Sequence, residues 1–365
     1  MSNEVKKLIT SRRRFLQVSA GLGVMASTLG LPGIVRAQTK RIGFAMETFT
    51  VPRWKNLDKP SFEDAVRAGG FEPVVVQANF DVAQQLRDVE NLLAQGIDAL
   101  VIVAIDSNAA VNMVRRAKRD GVPVVAYNTA IPSSDVAAFV SRDNKNVGRQ
   151  AVQAAAAKGS LEGKWVVASG QAGNAVAEEV TAGYFEELKP LIDAGTVEVV
   201  SHEFHAGWDP ELARKQAENA LTANGNDIKG FLCNNDGMAG GAIAALERQG
   251  LAGKVFVSGQ DATTEACRNI IESKMDLSSF TRFDVMGKTA GDLAVRLANG
   301  EALDAPLEYV SGDVTIPLHP VEDFNVTRDN IASYFEQYSP GYVDAVAVLQ
   351  GLSDDILPDG VAKFR

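Results

Sequence analysis

The chain has 365 residues, with 36 Lys plus Arg against 46 Asp plus Glu and a net charge of −10. Beyond its N-terminal stretch the chain is acidic with no basic run, a poor match to nucleic acid or to an anionic membrane surface. Two cysteines in this length exclude a disulfide scaffold, and no stretch beyond the N-terminus has the eighteen unbroken apolar residues that read as a membrane span.

The first 37 residues are expected to lie outside the fold. Ser11-Arg12-Arg13-Arg14-Phe15-Leu16 is a twin-arginine export pattern, Val18 to Val35 is apolar and rich in small residues, and Val35-Arg36-Ala37 offers a cleavage site. This stretch holds six Lys/Arg and one acid, so a mature chain from Gln38 carries about −15. Some 328 residues then remain, enough for two lobes of roughly 150. The expected location is the periplasm, where disulfides can form. Cys233 and Cys267 read as two buried thiols in preference to one bridge between neighbouring units.

In chain order, Arg41 to Met46 reads as a strand and Glu47 to Pro60 as a loop, with Ser61 capping a helix to Gly69. Phe71 to Gln77 is a strand, and Asp81 to Gln95 a helix with Leu86, Val89, Leu92 and Leu93 at helical spacing. Ala99 to Val103 is an unbroken apolar run, as in a strand covered on both faces. Asn108 to Arg119 is its helix, with a solvated Arg115-Arg116-Lys118-Arg119 face. Pro123 to Tyr127 and Phe139 to Ser141 close the first series.

A second series follows. Helices at 144–158, 174–189 and 210–223 alternate with strands at 164–169 and 197–202. Gly230 to Cys233 is a strand that ends in Asn234-Asn235-Asp236, with Asp236 read as the cap of the helix after it. Lys254 to Ser258 repeats the pattern and closes at Gly259-Gln260-Asp261. Asp276 to Phe280 is a last strand, Phe283 to Asn299 a helix, and short extended pieces lie around 307–309 and 314–316. Gly341 to Arg365 reads as a terminal helix and a loose tail. Alternation of this kind, twice over, predicts an α/β fold of two doubly wound, Rossmann-like lobes with parallel sheets facing each other across a cleft. The chain is expected to cross between lobes near Ser141, Thr281 and Thr315. That assigns residues 38–141 plus 283–315 to an N-terminal lobe, 142–282 plus 316–345 to a C-terminal lobe, and 346–365 to a tail.

Ligands of such sheets bind beyond the carboxyl ends of the strands. A neutral polyhydroxylated ligand needs fixed donors and acceptors for its hydroxyls and flat aromatics for its apolar faces. The rim loops supply both kinds. Trp208 stands in the glycine-flanked loop His205-Ala206-Gly207-Trp208-Asp209-Pro210, and Arg53 and Trp54 stand in the loop after the first strand. Asn128, Asn174, Asn235 and Asp261 sit at strand ends or helix starts, where capping is the plainer role for an amide or a carboxylate. Arg142, at a crossing, faces either a ligand or Asp143.

Catalytic and cofactor signals are weak. His202 and His205 lie at a strand end with no carboxylate or cysteine completing a metal set. No Walker loop is present, no Gly-x-Gly-x-x-Gly follows the first strand, and no nucleophile elbow is visible. The expectation is a binding protein, with no enzyme activity, cofactor or metal.

These stretches together resemble the periplasmic sugar-binding proteins of ABC importers, and among them the xylose-binding type. The resemblance runs from about Lys40 to Ile331. It rests on PRW at 52–54, NLLAQGIDALVI at 91–102, VAYN at 125–128, SRDNKNVG at 141–148, GWDPELA at 207–213, ALTANGNDI at 220–228, NNDGMAGGAI at 234–243 and SGQDA at 258–262. It implies the periplasmic binding protein-like I fold with a three-segment hinge. It also implies a monosaccharide or polyol ligand, an ABC transporter permease as partner, a monomer, and no nucleic acid. Positions matching Arg53, Trp208, Asn235 and Asp261 contact the sugar in that type. The type has aspartate at the positions of Asn128 and Asn174, asparagine at Val176, lysine at Thr281 and phenylalanine at Arg142. Those departures leave another pentose, a polyol, a cyclitol or a sugar acid open as ligand. A sensor of the same fold for a chemoreceptor or membrane kinase is the alternative role, and a secreted carbohydrate-active enzyme the remaining one.

Overall fold

The computed structural model describes residues 40–365, so the expected twin-arginine segment at 1–37 lies outside the described residues. The strands are β1 (Arg41–Met46), β2 (Glu72–Gln77), β3 (Ala99–Ile102), β4 (Val124–Tyr127), β5 (Val136–Ser141), β6 (Gly163–Ser169), β7 (Val197–Phe204), β8 (Gly230–Cys233), β9 (Phe256–Gln260), β10 (Leu277–Thr281), β11 (Leu307–Ser311), β12 (Val314–Pro320) and β13 (Asp323–Thr327). The helices are α1 (Lys59–Ala68), α2 (Val82–Ala94), α3 (Ser107–Arg119), α4 (Asn144–Ala157), α5 (Ala175–Asp193), α6 (Pro210–Ala223), α7 (Asp236–Arg248), α8 (Thr264–Ile271), α9 (Phe283–Ala298), α10 (Ile331–Tyr338) and α11 (Ala345–Leu349).

Two sheets form. One has seven strands in the order β11-β12-β5-β4-β3-β1-β2, the other six in the order β13-β10-β9-β8-β6-β7. All neighbours are parallel except β11 against β12 and β13 against β10. Side chains alternate across a strand, so each sheet needs an apolar layer on both faces. In the first sheet Ile42, Phe44, Val101 and Val125 pack with Phe62 of α1 and Met286 and Leu293 of α9. The opposite set, Ala45, Leu100, Ile102 and Val124, packs with Val89 and Leu92 of α2 and Met113 and Val114 of α3. That is the two-lobed doubly wound fold expected.

The crossings decide where the cleft lies. Ser141 ends β5 in the first sheet, and α4 then packs on α5 in the second lobe. Thr281 ends β10 in the second sheet, and α9 returns to α1. The third crossing falls between Pro320 and Asp323, not near Thr315, because β12 is zipped on one edge to β11 and on the other to β5. A hairpin at Gly312 forces this: β12 cannot leave the sheet before its pairing with β11 is complete. Residues 316–320 therefore belong to the first lobe. The crossings are bonded to one another, Val321 N–H to the Ser141 carbonyl at 2.9 Å and Arg282 N–H to the Glu322 carbonyl at 3.2 Å.

Other local expectations shift. Residues 54–58 are helical, continuous with α1, so Ser61 is no cap and its hydroxyl donates to the Leu57 carbonyl. The 346–365 segment is not loose: Val361 is fully buried, and Arg268 donates to the Val348 and Gln350 carbonyls at 3.1 and 3.0 Å. Cys233 and Cys267 are free, buried thiols.

Helices α4 and α5 touch through two glycines. A Cβ on Gly148 would lie 2.1 Å from the Val180 carbonyl oxygen, and one on Gly183 would lie 2.1 Å from that of Lys145. Backbone cannot yield as a flexible side chain does, so Gly148→Ala should cost at least about 1–3 kcal/mol, as overpacking does. Urea unfolding checks this; a wild-type midpoint would mean that the two helices separate without penalty.

Candidate ligand-binding site

The carboxyl ends of both sheets face one small cavity that opens to solvent. Seven of the residues singled out in the sequence line it: Arg53, Trp54, Asn128, Asn174, Trp208, Asn235 and Asp261. Arg142 and Thr281 are not on its wall. Arg142 is buried one layer behind, donating to Gln260 Oε1 at 2.7 Å and standing 3.5 Å from Asn128 Oδ1. It does not pair with Asp143, which instead caps α4 and accepts from Arg149. Thr281 is fully buried at the end of β10, beside the crossing.

Arg53 organises the first-lobe side. The residues after it, Trp54–Asp58, form a π-helical turn closed by Lys59 N–H to the Trp54 carbonyl. That wider winding, common at functional sites, lets side chains five apart meet. The Arg53 guanidinium donates to both oxygens of Asp58, at 2.6 and 3.1 Å, and Tyr127 donates its hydroxyl to the same carboxylate at 2.5 Å. It lies 3.9 Å from the Trp54 ring centre and 3.4 Å from that of Phe283. Burial works against the charge, but the Asp58 carboxylate outweighs it and holds the guanidinium above its ordinary range. Arg53 also reaches Asn128 Oδ1 at 3.3 Å and stands 4.0 Å from Asp261 Oδ1 across the cleft.

The second-lobe side is built from helix starts. Asn235, not Asp236, caps α7: its Oδ1 accepts from Met238 N–H at 2.9 Å, leaving its amide NH₂ for the cavity. Asp236 lies inside the first turn and accepts from the Ser278 hydroxyl and Thr263 N–H, at 2.5 and 2.8 Å. Asn174 caps α5 with its oxygen and donates across the lobes to the Ala104 carbonyl at 3.2 Å, so both its ends are engaged. Trp208 lies over Gly170, whose Cβ would fall 2.5 Å from the ring.

Trp208 Nε1, Asp261 Oδ1 and Arg142 Nε, buried in and behind the cavity, have no hydrogen-bond partner, although Asp261 Oδ1 stands at ion-pair distance from Arg53. Unsatisfied buried groups are costly, and a cluster of them marks a place completed by something else. Burial raises Asp261 to about 6, with Arg53 and Arg142 drawing it back. Arg142 is lowered to about 10, by burial first and by the like charge of Arg53 second.

Sequence reasoning passed over Glu47, Phe80 and Gln260, which also line the cavity. Glu47 follows β1, Phe80 stands three residues beyond β2, and Gln260 ends β9. The rule that found Asn128 and Asn235 applies equally to them. Burial pushes the Glu47 carboxyl up to about 8, with Arg53 pulling it back, so it is mostly protonated at neutral pH. Asp58 carried no signal, because only the π turn brings it to Arg53. His202 and His205 point to separate partners, Ser169 at 3.0 Å and Gln216 at 2.8 Å. Among the described residues no group of three or more His, Cys, Asp or Glu is placed to hold a metal ion, and no helix is long and apolar enough to cross a membrane.

Known proteins are similar to this chain in sequence and in fold. A family model described as the periplasmic binding protein domain matches residues 42–302. The D-xylose-binding periplasmic protein of Escherichia coli (strain K12) is 33% identical over 296 residues, covering 81% of this chain and 89% of that protein. The xylitol-binding protein of Mycolicibacterium smegmatis is 25% identical over 327 residues, covering 89% and 90%. A carbohydrate transporter solute binding protein from Chloroflexus aurantiacus, in complex with D-glucose, has a TM-score of 0.74 at 25% identity, covering 84% of this chain and 98% of that one. An ABC transporter solute binding protein from Bacillus halodurans with bound myo-inositol has a TM-score of 0.69 at 27% identity, covering 82% and 98%. Since the matched residues run through both lobes and both walls of the cavity, the chain belongs to the periplasmic binding protein family.

Proposed function

We propose that this chain captures one neutral, pentose-sized monosaccharide or polyol between its lobes in the periplasm and delivers it to an ABC transporter permease. In this reading the twin-arginine segment exports it, and it works as a monomer without catalysis. The observation that carries the proposal is the pairing of Trp208 Nε1 and Asp261 Oδ1, both buried and without a hydrogen bond, on one cavity wall. A hydroxylated ring satisfies both, accepting from the indole and donating to the carboxylate. Relatives whose names give D-xylose and xylitol as ligands support the class.

Charge favours a neutral ligand over a sugar acid. Arg53 is paired with Asp58, and Arg142 is held by Gln260 and Asn128 with Asp261 nearby. With Glu47 protonated, the two cations face three carboxylates, Asp58, Asp261 and Asp323, so no positive charge is left unmatched for an anionic ligand. An added carboxylate would have to displace a buried partner, which costs more than the new contact returns. Thermal unfolding with D-xylose, xylitol, D-glucose, myo-inositol and D-xylonate tests this. At least one neutral compound should raise the melting temperature by several degrees at about a thousand times its dissociation constant, worth about 4 kcal/mol. A shift with xylonate alone would overturn the reading.

Trp208 should contribute through stacking and its indole N–H. Trp208→Ala is expected to weaken binding by on the order of 2–4 kcal/mol, roughly thirty- to a thousandfold. Calorimetric titration and unfolding of the same variant separate this from a purely structural role, which would lower the melting temperature and spare affinity.

Glu47 gives a pH signature. Its folded value of about 8 lies above the ordinary 4.5, so the folded chain keeps a proton that the unfolded chain has lost. Its contribution to stability is fully present below about pH 4.5 and is lost as pH rises through about 8. Glu47→Gln stays neutral throughout. The variant should match the wild type near pH 4.5 and be more stable by on the order of a few kcal/mol at pH 9. Parallel pH–stability curves would show that Glu47 titrates normally.

A further inference from the structure

The turn that aims Asp261 into the cavity is held by hydrogen bonds on every side. Asp261 and Ala262 both have positive φ, 103° and 50°, in a region that favours glycine. Strain of this kind persists only where the surroundings over-determine it, and it gathers at functional sites. Here every backbone group of the turn is held. Asp261 N–H donates to the Ser279 carbonyl at 2.7 Å, Ala262 N–H to Ser278 Oγ at 2.8 Å, and Thr263 N–H to Asp236 Oδ2 at 2.8 Å. The two carbonyls are held by tyrosines from the end of the chain. Tyr342 donates its hydroxyl to the Asp261 carbonyl at 3.0 Å, and Tyr334 donates to that of Ala262 at 2.8 Å.

Both tyrosines are buried, and both lie beyond residue 302, where the family match ends. Tyr342 also lines a second, adjoining pocket, together with Asp261 and with Val51 and Pro52 of the other lobe. The ring of Tyr342 packs 5.9 Å from Phe280, and Asp344 N–H donates to Thr264 Oγ1 at 3.1 Å, fixing the segment on both sides.

We infer that the C-terminal segment completes the ligand site from behind: Tyr342, seconded by Tyr334, is a positioning residue that holds the strained Asp261–Ala262 turn and so fixes the direction of the Asp261 carboxylate. This rests on the reading of Asp261 as a ligand group. The tyrosine hydroxyl satisfies a buried carbonyl that would otherwise go without a partner.

Tyr342→Phe removes the hydroxyl and keeps the ring. In the full chain, titrated with D-xylose, xylitol and myo-inositol, it should weaken whichever of them binds by roughly three- to tenfold, the worth of one buried hydrogen bond. Its ligand-free melting temperature should stay within about 3 °C of wild type. In an Asp261→Asn background the same substitution should add almost nothing, since both changes act on one contact. Hydrogen exchange gives a readout that needs no ligand: the amides of Ala262 and Thr263 should exchange faster in Tyr342→Phe. Unchanged exchange there, losses that multiply with those of Asp261→Asn, or a lowered melting temperature with intact affinity would each overturn the inference. If Asp261→Asn alone keeps full affinity, the site reading fails, and the exchange experiment still reports whether Tyr342 holds the turn.

Discussion

A guanidinium buried at the junction of two lobes is the constraint around which this protein is arranged. Arg53 is almost fully buried, and an unpaired charge there would cost several kcal/mol. The surroundings meet that cost with a bidentate carboxylate, an amide oxygen and two aromatic faces. The partners come from three separate parts of the chain, Trp54 and Asp58 sharing one turn. Asp58 is set by the π turn, Asn128 by the end of β4, and Phe283 by the crossing after β10. The carboxylate of Asp261 stands opposite, supplied by the other lobe. The placement of Arg53 therefore depends on both lobes and on one of the crossings.

The same geometry explains why the cavity sits where it does. Parallel strands bring every carboxyl end to one rim, and helix starts at that rim need capping. Asn174 and Asn235 cap helices and line the cavity with the same side chain. In Asn235 the cap fixes the amide and so decides which of its ends faces inward. Asn128 shows the electrical side. Standing between two guanidiniums, it accepts from both without adding a negative charge.

The alternation of apolar runs with helical spacing was enough to read two doubly wound lobes, because the period of a strand covered on both faces is visible in sequence. The rim rule found Arg53, Trp54, Asn128, Asn174, Trp208, Asn235 and Asp261, which the fold brings to one cavity. It found them because strand ends are local features. Glu47 and Gln260 were equally legible by that rule.

What sequence could not supply is whatever depends on distant partners or on exact winding. Arg142 and Thr281 sit at crossings, and only the closed arrangement of the sheets puts one behind Gln260 and the other out of the cavity's reach. The third crossing moved past Pro320 because strand pairing, a long-range property, held β12 in its sheet. Asp58 became the partner of Arg53 through a π turn, which shifts side-chain register by one residue and leaves no mark in the apolar pattern. The terminal tyrosines lie some seventy to eighty residues from the turn they hold, a distance over which composition and periodicity carry no information. Sequence determined which residues stand at the strand ends, because backbone periodicity is local. Tertiary structure decided which of them meet, because that depends on packing between lobes.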